Sequence, residues 1–237
     1  MRALVTGCGR RLGFYLCEQL VAAGWQVTGS YRSERPELAR LRALGVTLVQ
    51  ADFACEEQVG QLIEVLASQQ DLALVIHNAS AFEPEAADAA NAAAQLAQFD
   101  QFYRVHMAAP FRLNRALAPQ LARNANASII HITDIYIHAP APQFASYVAT
   151  KAGAHSLAMS FARELAPAIR VNTIEPGPIL FLDEHGDAWR QQVLAKTPLA
   201  REGGLEPIWQ AVQLLMGNDY MTGASIRVDG GRSLAVI

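Results

Sequence analysis

The sequence predicts one α/β domain over residues 1–237, a doubly wound parallel sheet of about seven strands flanked by helices on both faces. Three observations lead there. Short apolar runs alternate with longer segments of helical period along the whole chain. The run Leu72–Ile76 is apolar without alternation, as in a strand covered on both faces. The first strand passes through a glycine turn straight into a helix.

The elements follow in order. A strand near 3–6 leads into a helical pattern near 12–23 that stops before Gly24. A strand near 26–30 precedes a helix near 35–44, with Pro36 in its first turn and Gly45 beyond its end. A strand near 46–50, a helix near 56–69 and the strand near 72–77 come next. Ala86 to Ala97 reads as the extension of a long helix near 95–122, because alanine is the best helix former and an amphipathic pattern continues from it, with a mobile loop as the alternative. Strands near 128–133, 169–174 and 225–228 and helices near 144–166 and 205–216 complete seven strands and six helices. Residues 178–204 form the longest connection, placed as a substrate lid would be.

Composition excludes other classes. The 237 residues are 51% hydrophobic, enough for one large core. A net charge of −3, with charges interspersed, offers no basic stripe, so neither nucleic acid nor an anionic membrane is expected as a partner. Cys8, Cys17 and Cys55 form no spaced framework and fit a reducing compartment. A first strand at residue 2 or 3 and the lack of any apolar run near 18 residues make the expectation cytoplasmic. Asp183–Asp187 with His185 suggests a metal site, but acidic residues also favour a first helical turn and no second ligand set accompanies them. His77, His131, His138 and His155 show no ligand spacing either, and no metal is expected.

Chemistry concentrates in four places. The turn Thr6-Gly-Cys-Gly-Arg-Arg-Leu-Gly13 lies between strand and helix, where glycine admits a pyrophosphate and the helix N-terminus holds it. After the second strand, Ser30-Tyr-Arg-Ser33 puts Arg32 and a hydroxyl where an NAD-binding chain presents a carboxylate, which suits a 2′-phosphate and hence NADPH. Leu72–Ile76 ends in His77-Asn-Ala-Ser80 at the carboxyl edge of the sheet, where such folds bind ligands. Finally, Asp134 follows a strand thirteen residues before Tyr147, and Lys151 lies four beyond Tyr147 on one helix face. That spacing predicts an ammonium beneath the phenol which, together with a bound positive cofactor ring, would draw it from about 10 towards 7.

These residues, with Pro176-Gly177 and the closing Thr222-Gly223 and Val228-Asp-Gly-Gly231, resemble the short-chain dehydrogenase/reductase family over essentially the whole chain. The resemblance implies a Rossmann-type reductase. Arg11 replaces the second glycine of the turn, Asp134 the usual catalytic serine and His106 the usual asparagine of the long fourth helix; these departures resemble the pteridine reductase branch. Within it, Gly9–Gly13, Ser30–Arg32, Gln50–Phe53, His77–Ala81 and Ile179–Phe181 are similar to bacterial dihydromonapterin reductases.

The branch implies NADPH-dependent reduction of a 7,8-dihydropterin, such as dihydromonapterin or dihydrofolate, with Asp134, Tyr147 and Lys151 catalytic. It implies that the cofactor meets Gly7, Arg10, Arg11, Leu12, Gly13, Arg32 and Ser33. Asp52 and Phe53 flank its adenine, Asn78, Ala79 and Ser80 its central ribose, and Pro176, Gly177 and Ile179 its nicotinamide, with Tyr147 and Lys151 also touching it. The pterin meets Arg11, Ser80, Phe82, Asp134 and Tyr147, stacked on the Phe82 ring. His106 would bond the backbone and order a relay water. The family further implies a homodimer or homotetramer. The alternatives are a carbonyl reductase, for instance of a 3-oxoacyl thioester, and a dinucleotide-sensing protein without catalysis.

Overall fold

The computed structural model describes residues 1–84, 92–140, 142–182 and 185–235. Its seven strands are β1 (Arg2–Val5), β2 (Gln26–Tyr31), β3 (Thr47–Gln50), β4 (Leu72–His77), β5 (Ala127–Ile132), β6 (Ile169–Pro176) and β7 (Ser225–Val228). They form one parallel sheet in the order β3-β2-β1-β4-β5-β6-β7. The helices are α1 (Arg11–Ala22), α2 (Glu37–Ala43), α3 (Glu56–Ala67), α4 (Ala92–Tyr103), α5 (Ala109–Leu121), α6 (Ala145–Glu164), α7 (Asp187–Ala195) and α8 (Glu206–Gly217).

Strand alternation sorts the core into two layers. Ala3, Val5, Leu74, Ile76 and Ile130 pack on Leu16 and Leu20 of α1, Leu38 and Leu41 of α2 and Val212 and Leu215 of α8. Leu4, Leu72, Val75, Ile129 and Val171 face the other way, onto Leu62 of α3, Leu113 and Leu117 of α5 and Phe161 of α6. Every residue of β4 is buried, as its unbroken apolar run requires of a central parallel strand. Each large aliphatic side chain removed from water contributes about 2 kcal/mol.

Two expectations need correction. The long fourth helix is divided, with π-helical residues Arg104–Ala108 between α4 and α5, a local widening that the continuing apolar pattern conceals. Residues 178–204 carry a helix, α7, that the six-helix reading lacks; it buries none of its residues and so leaves little amphipathic signal. Of the predicted alanine-rich extension, Ala92–Ala97 is helical and residues 86–91 lie outside the described residues. No helix among the described residues is long and apolar enough to cross a membrane.

The strand order reverses between β1 and β4, and the loops leaving the carboxyl ends of these two strands part there. That opening positions the site.

Candidate active site

A cleft of about 860 Å³ lies above this switch point. Its wall contains all nineteen residues assigned to cofactor, substrate or catalysis from the sequence, brought together from seven separate segments between Gly7 and Ile179.

The floor is the turn after β1. Thr6 Oγ1 accepts hydrogen bonds from the backbone N–H groups of Asn78 (2.9 Å) and Ala79 (3.0 Å), while Asn78 Nδ2 donates to the carbonyls of Thr6 (3.0 Å) and Gly7 (3.1 Å). The turns after β1 and β4 are thereby clamped. A Cβ on Gly13 would stand 2.1 Å from the Gly7 carbonyl oxygen and 2.5 Å from Asn78 Nδ2, so only glycine fits beneath the turn. Gly13→Ala is expected to cost about 2 kcal/mol or more, read as a lowered denaturant midpoint at unchanged slope.

Arg11 has φ +51°, the left-handed backbone that glycine adopts at low cost. Its guanidinium donates to the Leu180 carbonyl, which ties the turn to the segment after Pro178. Cys8, in the same turn, is fully buried. At the β2 tip Arg32 and Ser33 face the cleft, joined by Arg35, which sequence reasoning missed. Glu34 is absent from the cleft wall and pairs with Arg42 at 2.5 Å. Asp52 caps its own turn by accepting from Ala54 N–H at 2.9 Å, beside the buried Phe53 ring.

Asp134 follows β5 with extended backbone; its Oδ1 accepts from Tyr136 N–H (2.9 Å) and its Oδ2 from the Tyr147 hydroxyl (2.9 Å). Tyr147 and Lys151 reach the site from α6 at the predicted spacing. Lys151 Nζ donates to the Ile132 carbonyl at 3.1 Å and lies 5.8 Å from the Tyr147 ring centre.

Within the protein alone, the Lys151 cation does not lower the phenol. Burial, with the Asp134 carboxylate beside it, pushes Tyr147 well above its ordinary value. Burial also raises Asp134 despite its hydrogen bonds, and burial lowers Lys151 to about 8. An aspartate in place of a neutral hydroxyl penalises a phenolate, so the phenol keeps its proton and suits proton donation.

His106 stands behind Ser80 rather than in the cleft wall. Ala81 N–H points at its Nε2 (3.3 Å), which requires an unprotonated nitrogen there; the ring proton is then on Nδ1, facing Thr150 Oγ1 at 2.8 Å. Thr150 donates onward to the Tyr147 carbonyl at 2.9 Å, and the Ser80 hydroxyl lies 3.0 Å from Nε2. Both nitrogens are spent on protein groups, which leaves none for the expected relay water. Burial holds this imidazole neutral by lowering its pKa well below the ordinary value.

Phe82, 43% exposed, stacks on Phe144 at 4.9 Å and meets the Tyr147 ring edge-on at 5.0 Å. Phe181 and Trp189, also in the cleft wall, meet at 5.5 Å between ring centres. Sequence reasoning missed Trp189, Tyr136, Phe144 and Arg232 as lining residues. A lone Trp or Tyr outside a motif carries no positional signal; proximity to Asp134 alone could have flagged Tyr136.

A cleft at the switch point, a clamped glycine turn and a Tyr-Lys pair facing an acid define a nucleotide-dependent oxidoreductase of the doubly wound class. A family model described as enoyl-(acyl carrier protein) reductase matches residues 7–233, and the chain belongs to the short-chain dehydrogenase/reductase family. Among relatives, it is 36% identical to the dihydromonapterin reductase of Enterobacter sp. strain 638 over 98% of this chain and 96% of that one. The dihydromonapterin reductase of Escherichia coli K12 is likewise 36% identical, with the same coverage. A solved structure described as FolM alternative dihydrofolate reductase 1 from Brucella canis complexed with NADP superposes with a TM-score of 0.88 at 29% identity, over 100% of this chain and 95% of the other.

Proposed function

We propose that this protein is an NADPH-dependent reductase of pterins, adding hydride to C6 and a proton to N5 of a 7,8-dihydropterin to give the tetrahydropterin. The observation that carries the reading is the buried Asp134–Tyr147 pair, in which the Tyr147 hydroxyl donates to Asp134 Oδ2 at 2.9 Å and burial raises both groups above their ordinary values. A C=N nitrogen is more basic than a ketone oxygen and takes a proton from such an acid readily. The relatives' names point to the same substrate class.

The cleft fits the cofactor. The space a Gly13 Cβ would fill, the helix start beneath it and the Arg10 and Arg11 side chains suit a pyrophosphate. Arg32, Ser33 and Arg35 suit a 2′-phosphate, with Glu34 held by Arg42. The nicotinamide supplies the hydride when bound. Tyr147 Oη releases its proton to the substrate nitrogen, and Asp134 Oδ2, the acceptor of that hydroxyl, takes up a proton from solvent and passes it back to Tyr147. Lys151 holds a ribose hydroxyl, Phe82 offers its exposed face to the pterin ring, and Ser80, held by His106, presents its oxygen beside Tyr147. Residues 178–204 act as the lid, tethered through Arg11 to the cofactor turn. Exposed Phe99, Tyr103 and Phe111 on α4, the π-helical segment's edge and α5 support pairing of these helices between copies.

The test is NADPH consumption with 7,8-dihydromonapterin, 7,8-dihydrofolate and a 3-oxoacyl thioester in parallel, with NADH as control. Pterin turnover selective for NADPH is expected. Arg32→Ala is expected to raise the NADPH KM by about 10- to 100-fold while changing the NADH KM little. Turnover of the thioester alone would make the protein a carbonyl reductase and overturn the reading.

A further inference from the structure

The cleft holds more positive charge than a dinucleotide uses. Among the described residues, seven lysines and arginines line it against two carboxylates, Asp52 and Asp134. Arg10, Arg11, Arg32, Arg35 and Lys151 lie along the path given to the cofactor. Lys196 and Arg232 do not. They stand at the other end, where Arg232 reaches the hydroxyl of Tyr136, the residue whose backbone Asp134 caps.

Arg232 is only 8% exposed. Its Nη1 donates to the Lys196 carbonyl at 3.2 Å and its Nη2 to Tyr136 Oη at 3.5 Å, while its buried Nε has no partner. Arg227 sits on Glu175 and Arg104 on Asp100, while the buried Arg170 donates to three backbone carbonyls, those of Leu215, Met216 and Met221. No carboxylate of the described residues pairs with Arg232. Its neighbour Asp229 spends both oxygens on the N–H groups of Gly231 (2.9 Å) and Ser233 (2.7 Å). The carbonyl at the end of α7 supplies a partial negative charge, which accounts for the anchoring of that helix and leaves the guanidinium's charge and its Nε unmatched. A buried cation without a counter-anion is costly, and a guanidinium at a cleft wall is shaped for carboxylate or phosphate.

We propose that Arg232, with Lys196 at the cleft mouth, binds an anionic group on the substrate's side chain, a carboxylate or a phosphate ester, distal to the reacting C=N bond. The proposal rests on the pterin-reductase reading and adds the charge of the substrate to it. A carboxylate would come from a glutamyl tail, as in 7,8-dihydrofolate; a phosphate would come from a phosphorylated pterin side chain.

The experiment measures kcat/KM of the protein with NADPH for 7,8-dihydromonapterin, its phosphate ester and 7,8-dihydrofolate. The same three are titrated by quenching of tryptophan fluorescence, to which Trp189 in the cleft wall contributes. Wild type, Arg232→Gln, Arg232→Lys and Lys196→Gln are compared. The ratio of kcat/KM for an anionic substrate to that for the uncharged one is expected to fall at least about tenfold in Arg232→Gln, through KM rather than kcat, and to recover in part in Arg232→Lys. Which anion shows the fall identifies the source. An unchanged ratio in both glutamine variants overturns the proposal while leaving pterin reduction intact. Binding of anionic pterins without turnover of any pterin overturns the functional reading and leaves the anion site standing. Should the buried Arg232 variants fail to fold, Lys196→Gln, at an exposed position, decides through the same ratio.

Discussion

Replacing Asp134 with asparagine is expected to lower kcat for dihydropterin reduction by about 10²- to 10³-fold with little change in KM. Asparagine keeps a carbonyl oxygen for the Tyr136 N–H and fills the same volume, so the turn after β5 survives. What goes is the group able to return a proton to Tyr147. The wild-type rate should also fall as pH rises through about 8, where Lys151 loses its charge. Asp134→Ser restores the hydroxyl of the wider family, which stabilises a phenolate better than a carboxylate does. It should therefore regain less than about a tenth of pterin turnover. Full turnover by Asp134→Ser at neutral pH would remove Asp134 from the proton path and leave Tyr147 to act alone.

The parts of this site legible in the sequence are those whose chemistry is local. Tyr147 and Lys151 are four apart on one helix, and the glycine turn abuts its strand, so spacing alone brings each set together. The strands were legible because a central parallel strand such as β4 is apolar throughout. The π-helical segment was not, since the apolar positions of α4 and α5 continue across it and only hydrogen bonding distinguishes it. Nor was α7, which packs no residue into the core. The sign of the Tyr147 shift depends on burial, a property of the assembled fold, and here burial outweighs the cation that spacing predicted. Arg232 lies 96 positions from the Tyr136 hydroxyl it approaches, and no sequence period relates them.

Acidification is expected to destabilise the fold well before most carboxylates titrate, because three histidines are buried neutral. His77 and His131 sit side by side on β4 and β5, their rings 4.5 Å apart. Asn114 of α5 joins them, accepting from His77 Nε2 at 2.7 Å and facing His131 Nε2 at 3.3 Å. Burial lowers His77 to about 4 and holds His131 and His106 well below the ordinary range. In the unfolded chain each titrates near 6.5. Between pH 6.5 and 4 the unfolded state therefore binds more protons than the folded one, and stability falls as pH falls through that window. For His77 the full loss is about 3 kcal/mol, of which about 2 kcal/mol is gone by pH 5. His106 and His131 act with the same sign. Asp134, raised by burial, opposes them, since its folded form gains a proton first. Lys151 titrates above this window. Urea unfolding of the cofactor-free protein at pH 7.5 and pH 5.0 should show a large drop in midpoint, reduced in His77→Gln, whose amide can still donate to Asn114. Equal midpoints at the two pH values would mean that these imidazoles accept protons without leaving the core, which the single Asn114 link between them gives no means to accommodate.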